Sequence, residues 1–159
     1  MIVGVISDTH GLLRPEAMEA LQGSEHIIHA GDIGAPDIIP ALRNIAPVTA
    51  IRGNMDVQSW ARVFPETEVV ELGGASIYVI HDVNAIDLSP KAAGFNAVIS
   101  GHSHKPGQEN RDGVLYLNPG SAGPRRFRLP ISVARLEISG SRIVAILHEI
   151  TAPYAETDR

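Results

Sequence analysis

Five short apolar runs in this chain each lead into an aspartate, an asparagine or a histidine. The first is Ile2–Ile6, which precedes Asp8 and His10. The other four precede Asp32, Asn54, His81, and the pair His102 and His104. An apolar run without polar alternation is typical of a strand buried on both faces, and groups beyond the carboxyl ends of parallel strands share one edge of the sheet. The pattern therefore predicts that these distant side chains converge on one site.

The first third of the chain alternates between two kinds of secondary structure. Strands are predicted over residues 2–6, 26–30 and 48–51, and helices over residues 15–21 and 36–42. This order predicts an α/β unit with right-handed crossovers, in which ligands bind beyond the carboxyl ends of the strands.

The rest of the chain predicts a second sheet. Strands are predicted over residues 68–72, 75–80, 97–100, 114–118, 131–138 and 142–150. A single helix is predicted in this part, over residues 85–93. Gly73-Gly74 and Gly140-Ser141 are hairpin signals between neighbouring strands, so the second sheet is predicted to be largely antiparallel.

Length and composition limit the architecture and the chemistry. The 159 residues correspond to about one average domain, predicted here over residues 1–150 with a C-terminal tail over 151–159. The chain has no cysteine, so disulfides and zinc–thiolate sites are excluded. The formal net charge of −5 offers no basic field for a long nucleic acid. No apolar stretch approaches the roughly 20 residues of a membrane span, and no basic segment precedes the first strand, so we expect a cytoplasmic protein without a membrane partner.

The polar groups at the strand ends form a mixed oxygen and nitrogen donor set. Asp8-Thr-His10 alone is weak, because aspartate often serves in turns, whereas His102-Ser-His104 presents two imidazoles from one loop. His29 lies within a predicted strand and is predicted to be a core histidine or to orient a ligand from behind. Seven donors exceed the needs of one ion and suit two divalent ions about 3.5–4 Å apart, bridged by a carboxylate. The predicted ligands are Asp8, His10, Asp32, Asn54, His81, His102 and His104.

Five motifs in order resemble those of the calcineurin-like metallophosphoesterases. They are Asp8-x-His10, Gly31-Asp32, Gly53-Asn54, His81 and Gly101-His-x-His104. The similarity runs from residue 2 to about residue 123, and the short chain resembles the small bacterial and archaeal phosphodiesterase branch. The resemblance implies an α/β (α+β mixed) fold, a four-layer sandwich of two mixed β-sheets flanked by helices.

The resemblance also implies how the donors divide between two metals. The first metal would be held by the residues at 8, 10, 32 and 104, and the second by those at 32, 54, 81 and 102. Asp32 would be the bridging ligand. Asp32, Asn54 and His102 are the predicted catalytic residues, because the last two would also contact phosphate.

Departures from the family pattern bear on the substrate. Many family phosphatases carry a histidine after the Gly-Asn pair, where this chain has Met55 followed by Asp56. Without that acid, diesters and substrates with good leaving groups are favoured over monoesters with poor leaving groups. Asp56, close to two cations, is expected to stay ionised rather than supply the proton. Asp82 replaces the usual glycine after the motif histidine and leaves the loop geometry there less defined.

The loop after residue 121 carries three arginines. Arg125 and Arg126 are candidate substrate contacts, because the guanidinium group matches phosphate geometry. A solvated loop whose charges offset nearby acids is an equally weighted alternative.

These observations favour a dinuclear metal-dependent phosphoesterase. The preferred form is a phosphodiesterase that hydrolyses small phosphate esters by in-line attack of a hydroxide bridging the metals. Mn²⁺ is the favoured metal, with Fe²⁺, Ni²⁺, Zn²⁺ or Mg²⁺ as alternatives, because nitrogen and oxygen ligands do not select among them. The alternatives are a phosphomonoesterase or nucleotide-specific hydrolase, or a non-catalytic interaction scaffold on the same fold, as in the retromer scaffold subunit. Exposed strand edges leave homo-oligomers open.

Overall fold

The computed structural model of the protein describes residues 1–151. The elements in the first part of the chain are β1 (Ile2–Ile6), α1 (Pro15–Ala20), β2 (His26–His29), α2 (Ile38–Leu42) and β3 (Val48–Ala50). They are followed by β4 (Thr67–Leu72), β5 (Ala75–Ile80), β6 (Ala97–Ile99), β7 (Gly107–Arg111), β8 (Val114–Asn118), β9 (Ser132–Ser139) and β10 (Arg142–Glu149). The predicted strands are all present, with small shifts of their boundaries, as are the first two predicted helices. The predicted tail over 151–159 lies outside the described residues except for Thr151, so the domain boundary at 150 stays a prediction.

The first sheet has the strand order β10-β9-β1-β2-β3. Strands β1, β2 and β3 are parallel and in register, with Val5 beside Ile28 and Ile28 beside Thr49. Their buried apolar side chains fit a sheet covered on both faces. Because the strands run the same way, the segments that follow them leave the sheet at one edge. Backbone hydrogen bonds from Asp8 N to Gly31 O and from His10 N to Asp32 O, both 3.0 Å, hold two of these segments together.

The second sheet has the order β4-β5-β6-β8-β7. Its three central strands are parallel, and only the outer pairs, β4 with β5 and β7 with β8, are antiparallel. The prediction of a largely antiparallel second sheet is therefore wrong. The predicted hairpin of β9 and β10 does form, but β9 pairs with β1 in the first sheet. A glycine-containing turn such as Gly140-Ser141 marks a tight connection between two strands, and it carries no information about which sheet those strands join.

The predicted helix over residues 85–93 is also wrong. A short 3₁₀ turn occupies Val83–Ala85, and a single turn follows, in which Ala93 N donates to Ser89 O. Pro90 disfavours helical geometry at the residue before it, which limits any helix here. Strand β7 was not predicted, because its sequence is polar and its side chains are largely exposed at a sheet edge. The Asp112-Gly113 pair between β7 and β8 is a hairpin signal that could have revealed it.

Three apolar clusters separate the layers. Val5, Ile77, Ile99 and Leu136 belong to the cluster between the two sheets. A second cluster includes residues of α1, α2 and the first sheet, and a third lies on the other side of the second sheet, where the ring of Phe95 stacks on that of Tyr78. The predicted α/β (α+β mixed) sandwich of two mixed sheets is confirmed, although turns rather than α-helices cover the second sheet. None of the helices within residues 1–151 is long and apolar enough to cross a membrane.

Candidate metal centre

The segments after β1, β2, β3, β5 and β6 bring the predicted ligands together. Potential ligand atoms of Asp8, His10 and His104 lie within 4.8 Å of one another, and so do those of Asp8, Asp32 and His81. The two remaining donors are adjacent, because Asn54 Oδ1 lies 3.3 Å from His102 Nδ1. The rings of His102 and His81 meet edge to face, with their centroids 5.2 Å apart. All seven predicted ligands therefore belong to one group of side chains.

Asp8 divides its two carboxylate oxygens between the protein and the site. Oδ2 accepts hydrogen bonds from Ser7 Oγ at 2.7 Å and from His102 N at 3.1 Å. Oδ1 is buried without a hydrogen-bond partner and lies 3.4 Å from His104 Nε2. A buried carboxylate oxygen without a donor is costly, and a bound cation would satisfy it.

Asp32 divides its oxygens in the same way. Its Oδ1 accepts from Met55 N at 2.9 Å, while Oδ2 lies 3.2 Å from His81 Nε2 and 3.7 Å from His10 Nε2. Both Asp8 Oδ1 and Asp32 Oδ2 therefore lie between histidine nitrogens. Because two carboxylates occupy this position, the bridging role of Asp32 stays a prediction.

The orientation of His81 is consistent with metal binding. Its Nδ1 lies 2.7 Å from Ala30 O, and since a carbonyl oxygen can only accept, Nδ1 carries the proton. In the neutral ring this leaves the Nε2 lone pair facing Asp32 Oδ2. Burial lowers the pKa of His81, but its interaction with Asp32 and the charge on Asp8 outweigh burial and raise the pKa. A histidine nitrogen that faces a carboxylate is stabilised either by a proton or by a metal cation between the two groups. His81 and Asp32 therefore fit a site for a divalent ion.

Both carboxylates are ionised at neutral pH. Burial by itself raises the pKa of Asp8, but its interactions with His10 and His104 outweigh burial and hold the pKa well below the ordinary range. For Asp32, burial is likewise outweighed, in this case by His81 and the Met55 N–H, and its pKa is lowered. Two anions among imidazoles form an electrostatic environment that favours divalent cations.

The backbone at the site is unusual. Five of the seven predicted ligands have a positive φ: Asp8, His10, Asp32, His102 and His104. Only two other non-glycine residues of the described chain do, Asp112 and Phe127. A non-glycine residue with a positive φ costs about 1–3 kcal/mol, and such residues concentrate at functional sites. Their number here supports a functional role for these strand ends.

Two glycines allow close approach of the ligand segments. A Cβ on Gly53 would collide with the carboxylate and backbone of Asp32. A Cβ on Gly101 would collide with Ser7 Oγ and would lie 2.5 Å from Asp8 Oδ2. Glycine is therefore required at both positions if the carboxylates are to keep their places.

Asp56 has a structural role that was not predicted. Its buried carboxylate accepts from Ile33 N and Gly34 N, both at 3.0 Å, and from Gly53 N at 2.9 Å. The side chain thus joins the segment that carries Asp32 to the segment that carries Asn54. Its position two residues after Asn54, within a turn, was the available signal, since aspartate commonly accepts backbone N–H groups in turns.

His29 is fully buried and holds two ligand segments from behind. Gly31 N donates to His29 Nδ1 at 3.1 Å, His29 Nε2 lies 3.0 Å from Thr9 Oγ1, and that hydroxyl donates to Ile33 O at 2.8 Å. This assigns the proton of His29 to Nε2 and leaves every member of the network satisfied. The ring thereby orients the backbone around Asp8 and Asp32.

A cavity of about 450 Å³ adjoins one side of the candidate centre. Three predicted ligands, Asn54, His81 and His102, form part of its wall. The other residues that line it are Arg52, Gly53, Glu66, Thr67, Tyr78, Ile80, Asp82, Ala85 and Asp87. It is large enough for a small organic phosphate.

The arginine loop lies elsewhere. Arg125 is partly buried and Arg126 is exposed, and neither lines this cavity. Their contact with substrate stays a prediction. Asp82 does line the cavity, and its Oδ2 lies 3.8 Å from His102 Nε2, while its Oδ1 accepts from Asn84 N.

Comparison with known proteins agrees with this geometry. Residues 1–141 match the calcineurin-like phosphoesterase superfamily domain. A probable metallophosphoesterase of Methanothermobacter thermautotrophicus is 34% identical over 96% of this chain and 95% of its own. A phosphodiesterase of Methanocaldococcus jannaschii is 28% identical over 76% of this chain and 83% of its own. The crystal structure of Vps29 from Entamoeba histolytica with zinc has the same fold, with a TM-score of 0.72, 23% identity, and coverage of 94% of this chain and 99% of the other.

Proposed function

Because this chain belongs to the calcineurin-like phosphoesterase superfamily, we propose that it is a dinuclear metal-dependent phosphodiesterase that hydrolyses small phosphate esters. Membership of the family implies a phosphoester hydrolase. The observation that carries the proposal is the arrangement of the carboxylates, each with one oxygen held by the protein and the other among histidine nitrogens.

The donors divide most simply as the family pattern implies. Asp8, His10, Asp32 and His104 would hold one ion, and Asp32, Asn54, His81 and His102 the other. When bound, two divalent ions would lower the pKa of a water molecule and offset the charge on the phosphoryl oxygens. Mn²⁺ is our preferred ion, with Fe²⁺, Ni²⁺, Zn²⁺ and Mg²⁺ as alternatives.

The roles of the protein groups follow from their positions. Asp32 holds its Oδ2 between His10 and His81, which would set the spacing of the ions. Asn54 and His102 are exposed and line the cavity. A phosphoryl group bound there would be within reach of both side chains. The ring of His81 is held in place by its hydrogen bond to Ala30 O, so its Nε2 is preorganised for charge development.

A preference for diesters is supported by the residues after Asn54. Met55 has an apolar side chain that is 56% exposed and cannot donate a proton. Asp56 is buried and uses its carboxylate on three backbone N–H groups, so it is not placed to protonate a leaving group. Without an acid at either position, esters whose leaving oxygen needs little protonation should react fastest.

The alternative of a non-catalytic scaffold is disfavoured by the complete donor set. A scaffold has no need for strained ligand segments or for an unpartnered buried oxygen at Asp8. Oligomerisation and the cytoplasmic location stay predictions from the sequence.

Hydrolysis of bis(p-nitrophenyl) phosphate tests the proposal. We expect activity that is lost with chelator and restored by Mn²⁺, and that is lost in Asp32→Asn but kept in the surface control Asp112→Asn. Metal content measured by mass spectrometry on the same samples should approach two ions per chain in the wild type, as a dinuclear site requires. Wild-type turnover by metal-reloaded Asp32→Asn would refute the mechanism.

A further inference from the structure

Asp82 lies beside the predicted ligand His102 because two neighbouring strands end side by side. Strands β5 and β6 are parallel and paired, so the residues beyond their carboxyl ends are adjacent. Gly101 N donates to His81 O at 2.9 Å and holds the two following segments together. The sheet therefore places the residue after His81 next to the residue after Gly101.

The carboxylate of Asp82 divides its oxygens in the way that those of Asp8 and Asp32 do. Its Oδ1 accepts from Asn84 N at 3.0 Å, which fixes the side chain at the start of a short 3₁₀ turn. Its Oδ2 lies 3.8 Å from His102 Nε2. One oxygen is thus held by the backbone of its own segment, and the other faces the ring of a predicted ligand.

The two ring nitrogens of His102 face different groups. Nδ1 lies 3.3 Å from Oδ1 of Asn54, another predicted ligand, whereas Nε2 lies on the side of Asp82. A histidine that binds a metal through one nitrogen directs the N–H of the other to a carboxylate, a carbonyl or water, and this second contact sets which nitrogen binds. The orientation of the ring therefore favours Nδ1 as the ligand atom.

We propose that Asp82 is a positioning residue: it receives the N–H of His102 Nε2 and thereby directs Nδ1 to the ion that His102 and Asn54 would share. The side chains of Asp82 and His102 are 38% and 44% exposed, so they have room to close the 3.8 Å between them to a hydrogen bond. The same exposure moderates the effect of the charge, because solvent screens it. The inference rests on the proposed function, which makes His102 a metal ligand.

Nitrogen NMR of the imidazole rings tests the orientation in the wild type loaded with Zn²⁺, which is diamagnetic. We expect the ring of His102, identified by the loss of its signals in His102→Ala, to carry the metal on Nδ1 and a proton on Nε2. Metal on Nε2 would overturn the inference, because that nitrogen could then not donate to Asp82. This measurement needs neither a variant of Asp82 nor a substrate.

Asp82→Asn tests how much the carboxylate contributes to metal affinity. The amide oxygen can still accept from Asn84 N, so the turn is kept while the negative charge beside His102 is removed. We expect the affinity for the second Mn²⁺ to fall about 10-fold, as for other groups that orient metal ligands, and the affinity for the first to be unchanged. Electron paramagnetic resonance of free Mn²⁺ measures both affinities, and urea denaturation checks that the variant is folded.

Asp87→Asn is the matched control, because it removes the same charge from another exposed residue that lines the same cavity. It should change the affinity for the second ion by less than about 2-fold, since exposed charges are largely screened. An unchanged affinity in Asp82→Asn, or an equal loss in Asp87→Asn, would show that Asp82 does not act through His102.

The same measurements separate this inference from the proposed function. A wild type that binds fewer than two ions would refute the dinuclear function and the role of Asp82 with it. A wild type that binds two ions but does not hydrolyse bis(p-nitrophenyl) phosphate would refute the phosphodiesterase function alone. The ring orientation and the loss of affinity in Asp82→Asn would then still decide the role of Asp82.

Discussion

The Nε2 atoms of His10 and His104 lie 3.2 Å apart, on either side of a region that the unpartnered Oδ1 of Asp8 also faces. Lone pairs at this distance repel unless a proton or a cation lies between them. Asp8→Asn should therefore bind about one metal ion fewer per chain, since this oxygen is central to the donor set. Its diesterase activity should fall by at least about 100-fold.

Metal analysis after Mn²⁺ loading and gel filtration measures this effect. Asp112→Asn is the matched control, because it makes the same chemical change at an exposed turn. Retention of two ions by Asp8→Asn would contradict the assignment of Asp8 as a ligand.

Asp56→Ala should lower the free energy of unfolding by about 1–3 kcal/mol, because three buried or partly buried N–H groups lose their acceptor. Turnover should also fall, since the segments with Asp32 and Asn54 lose their connection. Asp56→Asn keeps one carbonyl oxygen and should lose less stability. Urea denaturation provides the measurement. If Asp56 were instead a proton donor, Asp56→Asn would be as stable as the wild type. Its rate would then fall more for esters with poor leaving groups than for esters with good ones.

Gly53→Ala should lose metal affinity and activity, because the added Cβ collides with the Asp32 carboxylate. Gly107→Ala is the control: it adds the same methyl group where no atom lies within 4 Å and φ is not positive. Metal titration of both variants, followed by the diesterase assay, compares them. Equal metal affinity would show that the close contact between Gly53 and Asp32 is not needed for binding.

Met55→His should increase monoesterase activity relative to diesterase activity. The side chain is exposed beside Asn54, and its backbone N–H already donates to Asp32 Oδ1, so an imidazole here would be close to a leaving group. General acid catalysis contributes at least about 100-fold when well placed, and we expect about 10-fold from an unoptimised position. Rates for phenyl and p-nitrophenyl phosphate test this, with Met55→Gln as the control. An identical dependence on leaving group in both variants would argue against proton donation.

The stability of the metal-free protein should depend on pH through His29. Burial lowers its pKa from 6.5 to about 4 in the folded protein. Between these values the unfolded chain binds a proton that the folded protein does not, so stability is complete above about pH 6.5 and falls as the pH decreases towards about 4. The difference amounts to about 3 kcal/mol. Urea denaturation of the wild type and His29→Gln across this range should show a weaker pH dependence in the variant.

Much of the candidate metal centre could be proposed from the sequence because its signals are local. Each strand end is a short apolar run followed by a donor, and Asp8, His10, Asp32, Asn54 and the later histidines could be read in that way. The supporting groups were harder to predict. Asp56 and Thr9 act on backbone atoms of residues far along the chain, such as Ile33, and nothing in their immediate sequence specifies those partners.

The sequence by itself determined the strands other than the polar edge strand β7, the αβ alternation of the first third and the identity of the candidate donor residues, because burial pattern and side-chain chemistry are properties of short segments. Only the tertiary structure decided that β9 pairs with β1, that β5, β6 and β8 are parallel, and that Glu66 and Asp87 line the same cavity as three of the predicted ligands. These relationships depend on packing between segments distant in the chain. Such packing is selected by the free energy of the whole core rather than by local preference.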